Sequence, residues 1–470
     1  MLGWGIYKEK KDYNLSIPPI TTQEEEFIEE ITKLFKEVSK TKDIPQKEIR
    51  NEIIELLIDY CRHHNISLDK DQESYLADYL TYNIYGFNGI DELLKDNELE
   101  EIAIIGINKP VYVYNMKKGW LETNLYFRNE ETVIAVINKI ARQIGRRITY
   151  QNPKINAVLP DGSRLHASIP PISNIEMTIR KFKSNPITPC DIISSGVYSL
   201  DAVAFLSLVF QSDYNVLIAG NTASGKTTTL NALFSFVPLS DRILIIEETP
   251  EINIPHPHKI KLLSNSELKI SMKELVEDSL RMRPDRVIVG EVRTEEETAS
   301  FIETILSGQA RGSYATFHAQ SSEEAVKRML NLKISRYDIN SIDFILIQRR
   351  IMKYDPLKRK YWEERKGIEI SEIDDDGNIR QIFVLNRKTN NLEGDPTKSK
   401  KFEEIADNFN FTKKEMMDEL EERKKFLSSL KTENFNDLIF QVQSKWFSNI
   451  DVKKLLIESS VEHPTDLSRS

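Results

Sequence analysis

Gly220-Asn221-Thr222-Ala223-Ser224-Gly225-Lys226-Thr227 follows the pattern GxxxxGK[ST] of a phosphate-binding loop. Ahead of it, residues 215–219 read Asn-Val-Leu-Ile-Ala, a short apolar run that suits a buried strand. Behind it, residues 228–234 space their apolar side chains as a helix does. That order matters chemically. Glycines let the backbone close around phosphate oxygens, and the start of the helix offers free amides and the positive end of its dipole. Lys226 is expected to reach the terminal phosphates and Thr227 to hold a magnesium ion through its hydroxyl. This stretch by itself predicts a nucleoside triphosphate site.

The chain has 470 residues, room for two or three domains. It is 40% hydrophobic and 29% charged, with a net charge of −9. That balance argues against a nucleic-acid binder built on bulk positive charge. No apolar run approaches the ~18 residues of a membrane span, and no signal-peptide core is read at the N-terminus. Cys61 and Cys190 stand far apart without a CxxC, which fits a reducing cytoplasm and excludes a zinc knuckle of cysteine pairs.

Residues 1–20 show little periodicity and read as a loose arm. Three helical patterns follow: one on Phe27, Ile31, Leu34 and Phe35, one on Ile49, Ile53 and Leu57, and one over 72–85. The tyrosine stripe of the third reads as packing. Strands at 101–107, 111–115 and 176–182, with a helix over 130–144, make an α+β N-terminal domain. The stretch 184–190, polar and carrying two prolines, reads as a linker. From Cys190 strands and helices alternate as a parallel α/β sheet requires, with strands at 216–219, 243–247, 286–289, 313–317 and 344–347. A basic hairpin-like region comes next. A helical tail then opens on the capping pair Thr412 and Glu415. The expected boundaries are 1–70 for arm and helices, 71–183 for the α+β domain, 184–190 for the linker, 191–385 for the P-loop domain and 386–470 for a helical region.

Further residues sharpen the site. Glu247, followed by Glu248 and Glu251, closes one apolar strand, and Glu291 follows the apolar run of 286–289. Acids at strand carboxyl ends lie where open α/β sheets bind ligands. One acid is needed to orient a magnesium shell and another to activate water. His318 follows a third strand and is a candidate γ-phosphate sensor. Arg164 and Arg180 precede the linker, and their planar guanidinium groups suit phosphate.

Taken together, GNTASGKTT, IIEETPEI, LRMRPDRVIVGEVR and ATFHA resemble the Walker A, Asp box, Walker B and His box of type II/IV secretion ATPases. Upstream, YGFNGIDELLKDNELEEIAIIG, LPDGSRLHASIPP and MTIRKF are similar to that family's N-terminal domain, so the likeness covers roughly residues 75–350. The tail looks most like the archaeal branch, which drives archaellum or type IV pilus-like filaments. The resemblance implies a RecA-like C-terminal domain that hydrolyses ATP with Mg2+. It also implies a homo-hexamer at the inner face of the cell membrane, docked on a polytopic platform protein and acting indirectly on pilin-like subunits. It casts Glu247 as general base, Glu291 and Thr227 as magnesium positions, His318 as the His-box residue, and Arg164 and Arg180 as arginines reaching the γ-phosphate. Glu248 stands where many members carry aspartate, and Gln309 where many carry histidine; the zinc motif of the bacterial branch is absent. A conjugation-type nucleic-acid transfer ATPase on the same core is the alternative, although nucleic acid is not an expected partner.

Overall fold

Residues 1–184 and 185–464 form two compact units in the computed structural model, which describes residues 2–41, 45, 48–115, 118–182, 186–265, 268–430 and 434–461. Residues 184 and 185 of the expected linker lie outside the described residues.

The first unit contains β1 (Trp4–Ile6), α1 (Thr22–Thr41), α2 (Ile49–His64), α3 (Lys70–Ile84), α4 (Ile90–Lys95), β2 (Leu99–Ile104), β3 (Pro110–Asn115), β4 (Gly119–Phe127), α5 (Glu130–Arg142), β5 (Lys154–Val158), β6 (Arg164–Ser168) and β7 (Glu176–Arg180). Its sheet runs β1-β4-β3-β2-β7-β6-β5, and every pairing is antiparallel.

The loose arm expected at 1–20 is corrected. Trp4 sits opposite Phe127 in the β1–β4 ladder, is fully buried and stacks on Tyr79 at 4.4 Å between ring centroids. Leu15 and Ile17 join the same core. Three residues of strand are too few to show a period; a partner more than a hundred residues away makes them one. The stretch 159–167 ends in β6, where Leu165 and Ala167 are buried. That placement puts Arg164 opposite Arg180 in the β6–β7 ladder.

The second unit runs α6 (Pro189–Ser194), α7 (Leu200–Gln211), β8 (Val216–Gly220), α8 (Lys226–Leu233), β9 (Ile243–Glu247), β10 (Lys259–Leu263), α9 (Met272–Ser279), β11 (Arg286–Val289), α10 (Glu295–Leu306), β12 (Gly312–Phe317), α11 (Ser322–Asn331), α12 (Arg336–Ile339), β13 (Phe344–Asp355), β14 (Lys360–Ile373), β15 (Ile379–Asn386), β16 (Asn391–Gly394), α13 (Lys400–Asn408), α14 (Lys413–Ser429), α15 (Phe435–Trp446) and α16 (Val452–Val461). Strand order is β10-β9-β11-β12-β8-β13-β14-β15-β16. From β10 through β13 all pairings are parallel; from β13 onward they are antiparallel.

The parallel strands are apolar on both faces because both faces are covered. Val216 and Ile218 of β8 pack into one cluster with Phe205 and Leu230, while Leu217 and Ala219 pack into another with Phe301 and Val326. The region expected as a helical tail from 386 is different in kind. It begins with β16, and Leu420, Leu427 and Leu438 belong to the cluster of β8. Buried Arg423 of α14 donates to Ser207 Oγ of α7 at 3.0 Å and pairs with Glu419 at 2.7 Å. Gln443 of α15 donates to the carbonyls of Ser235 and Val237 at 2.8 Å each. Satisfied buried polar groups of this kind fix one arrangement of the helices.

Candidate functional site

Parallel order brings the carboxyl ends of β9, β11, β12 and β8 to one edge, where Glu247 closes β9, Glu291, His318 and Lys226 follow the other three, and Gln348 of β13 lies opposite Gly220. β8 delivers Gly220, and α8 starts at Lys226. Gly220 has no room for a side chain: a Cβ would lie 1.9 Å from the Gln348 carbonyl oxygen. Gly225 caps α8 at φ 93° and offers no side chain to the first amides. Those amides, which helical geometry leaves without partners, point out of the helix start. Ser224 Oγ is buried without a hydrogen-bond partner. The cradle is thus narrow, glycine-lined and rich in donors, which fits a polyphosphate anion.

Lys226 is buried, and its ammonium lies 3.9 Å from Glu291 Oε1. Burial draws its pKa below the ordinary lysine value, and the nearby Glu291 opposes that. The same Glu291 oxygen is 2.7 Å from His318 Nε2. Its other oxygen accepts from Arg293 Nε at 2.9 Å and from Arg293 Nη2. Burial raises the Glu291 pKa, but Arg293 and then Lys226 outweigh it and hold the carboxylate ionised. The His318 pKa is lowered as well, by burial and then Lys226, so its ring is neutral at pH 7 and donates to Glu291. Thr316 Oγ1 donates to the Gly290 carbonyl at 2.7 Å, tying the ends of β11 and β12 together.

The acids after β9 divide three ways. Glu247 is buried, and its Oε1 accepts from the amides of Glu251 at 2.8 Å and Ile252 at 2.9 Å. Its Oε2 is buried without a partner, and burial pushes its pKa up to about 7. Gly290 makes room for it, since a Cβ there would come within 2.9 Å of Glu247 Cγ. Glu248 is exposed and pairs with Arg293 at 3.2 Å. Glu251 accepts from the Thr227 hydroxyl at 2.9 Å. Thr227, Glu251 and Glu291 are therefore the oxygen donors beside the loop, a set suited to a hard divalent cation that keeps phosphate and water ligands.

Several contributors were not named from sequence. Gln348 of β13, in register with Gly220 at the end of β8, donates from Nε2 to the Ser224 carbonyl and accepts from Thr229 Oγ1, each at 2.6 Å. One readable signal was available: Gln348 is the first polar residue after the apolar run Phe344–Ile347. Asn221 exchanges hydrogen bonds with the Arg350 backbone at 2.8 and 3.0 Å, and Arg365 Nε donates to the Ala223 carbonyl at 3.1 Å. The 220–227 loop is thus gripped by the β13–β14 hairpin.

Arg164 and Arg180 belong to the first unit. They are brought directly opposite each other, and Arg180 also faces Glu101 across β2.

A family model described as type II/IV secretion system protein matches residues 90–406. An uncharacterised protein of Methanocaldococcus jannaschii is 38% identical over 260 residues, spanning 52% of this chain and 36% of that protein's own length. The type IV secretion system protein VirB11 of Bartonella henselae is 31% identical over 335 residues, covering 58% of this chain and 92% of the relative. Among solved structures, the VirB11 ATPase from the Brucella suis type IV secretion system, in complex with sulphate, aligns with a TM-score of 0.31 and 23% identity. That alignment covers 60% of this chain and 92% of that one.

Proposed function

This chain belongs to the type II/IV secretion system protein family, and on that premise we propose that it is an ATP-hydrolysing motor. In this reading it assembles as a homo-hexamer beside a membrane platform protein and powers pilus-like filament assembly or protein secretion. The observation that carries the reading is the linked set Lys226, Glu291 and His318 beside the glycine-lined loop. A buried lysine, a carboxylate held ionised and a neutral imidazole meet where phosphate charge must be stabilised and moved.

Lys226 neutralises the terminal phosphates. Thr227, Glu251 and Glu291 would hold a divalent cation, which would supply positive charge to the transferred phosphoryl group. Glu247 is the general base: a carboxylate whose pKa of about 7 matches neutral pH takes a proton from water with good driving force. His318 orients Glu291 and reports on the γ-phosphate. Arg164 and Arg180 are assigned to the same phosphate.

The test is steady-state ATP hydrolysis by the full chain with magnesium. Lys226→Ala is expected to reduce turnover at least about a hundredfold, the scale of losing one charge at a phosphoryl transition state. Wild-type turnover in that variant would remove the assignment.

A further inference from the structure

We propose that the tip of the β13–β14 hairpin is a docking surface for an anionic lipid bilayer, wired through its root to the phosphate loop. The two strands leave the sheet together. Phe344–Gln348 are all buried, from Arg349 onward burial is partial, and residues 360–363 are all exposed. From Gln348 to Asp355 the hairpin extends about 23 Å at ~3.3 Å per residue.

The composition of the tip is specific. Leu357 at the turn is 94% exposed, and Tyr354, Tyr361 and Trp362 are 60%, 69% and 40% exposed. Tyr354 stands opposite Tyr361 and Lys353 opposite Trp362, so both faces carry an aromatic ring. Over residues 353–362, Lys353, Lys358, Arg359 and Lys360 set four cations against the carboxylate of Asp355, with Glu363 and Glu364 following, in a chain whose net charge is −9. Lys358 reaches Asp355 at 3.8 Å from an exposed position onto a half-buried carboxylate, a long contact that counts for little.

An aliphatic apex ringed by cations, with tyrosine and tryptophan just behind it, matches a bilayer interface by level. The leucine enters the acyl boundary, the cations meet anionic headgroups, and the aromatic rings lie at headgroup depth. Single-stranded nucleic acid is a poorer match, because it needs a groove with successive stacking platforms and Leu357 offers no π-face.

The root gives the contact a consequence. Gln348, Arg350 and Arg365 hold Ser224, Asn221 and Ala223 respectively, so a force on the tip is delivered to the loop. Binding stands independently of the proposed activity; coupling to hydrolysis rests on it.

The experiment is flotation of the full chain with phosphatidylcholine vesicles, with and without phosphatidylglycerol, alongside ATP hydrolysis on the same samples. Wild type is expected to float only with the anionic vesicles and to hydrolyse ATP faster there. The triple variant Lys358→Glu, Arg359→Glu, Lys360→Glu should lose at least about tenfold in vesicle affinity and all stimulation, with its vesicle-free rate and melting unchanged. Leu357→Ser should weaken binding while leaving charge intact. Equal flotation on neutral vesicles, retained binding by the triple variant, competition by an oligonucleotide in preference to vesicles, or a loss of self-assembly instead of lipid binding would each overturn the proposal. A protein that floats but hydrolyses nothing would keep the docking surface and refute the ATPase reading. One that hydrolyses ATP but never floats would do the reverse.

Discussion

His318 Nε2 lies 2.7 Å from Glu291 Oε1, joining the ends of two neighbouring parallel strands, β12 and β11, at the mouth of the phosphate loop. The imidazole is neutral and the carboxylate ionised, so the contact is an N–H donated to an anion and not a mutual charge pair. His318 therefore positions Glu291 and leaves the carboxylate charge available to Lys226 and a cation.

Glu291→Gln keeps the shape and removes that charge. Hydrolysis is expected to fall at least about a hundredfold with ADP affinity within a few-fold of wild type, the pattern of a group used in the reaction. His318→Ala should cost less, about tenfold to a hundredfold in kcat, and should flatten in the Glu291→Gln background. Single-turnover rates and ADP titration measure both; additive losses in the double variant would mean that the two residues act separately.

Gln348 serves both sides of the loop. Gln348→Leu leaves the Thr229 hydroxyl and the Ser224 carbonyl without their partners, each buried group costing about 1–3 kcal/mol. Nucleotide affinity is expected to fall with kcat changed little, because the loop is misplaced while the acids are not. Thermal melting with and without ADP reads this out. A variant melting like wild type and binding ADP equally well would show that the backbone alone holds the loop.

Glu247 gives a pH dependence of definite sign. Its pKa rises from an ordinary 4.5 to about 7 on folding, so the folded chain holds a proton that the unfolded chain releases above 4.5. Its contribution to stability is complete below pH 4.5 and lost as pH rises through 7. Glu247→Gln lacks this loss, so its stability relative to wild type should climb across that window by about 3 kcal/mol and stay level above. Paired urea titrations at several pH values check it. As the proposed base, wild type should also gain activity through the same midpoint, and the glutamine variant should have little activity to titrate.

Arg180→Ala is expected to lower kcat at least about tenfold while ADP affinity changes no more than about threefold, because ADP lacks the γ-phosphate that the arginine is assigned to meet. Arg164→Ala should behave alike. Equal losses in kcat and ADP binding would instead mark the arginines as supports of the β6–β7 ladder.

What the sequence could say was local. The glycine and lysine spacing of 220–227, the apolar runs of the parallel strands and the acids at their ends are each contained within a few residues, and the observed strands at 243–247 and 286–289 begin and end where the runs do. Capping pairs such as Thr412 with Glu415 were equally legible, since a side chain three residues away closes them. Contacts made between distant segments were not. Trp4 becomes a strand residue only against Phe127, and the tail helices acquire their place from a buried face on α7. Glu247, Glu248 and Glu251 are alike as sequence, yet the turn after β9 buries the first, exposes the second and hands the third to Thr227. Sequence determined the glycine-and-lysine loop at 220–227 and which acids stand at the ends of its neighbouring strands. Tertiary structure decided which oxygen meets which hydrogen, because burial and hydrogen-bond reach are properties of neighbours in space and not of neighbours in the chain.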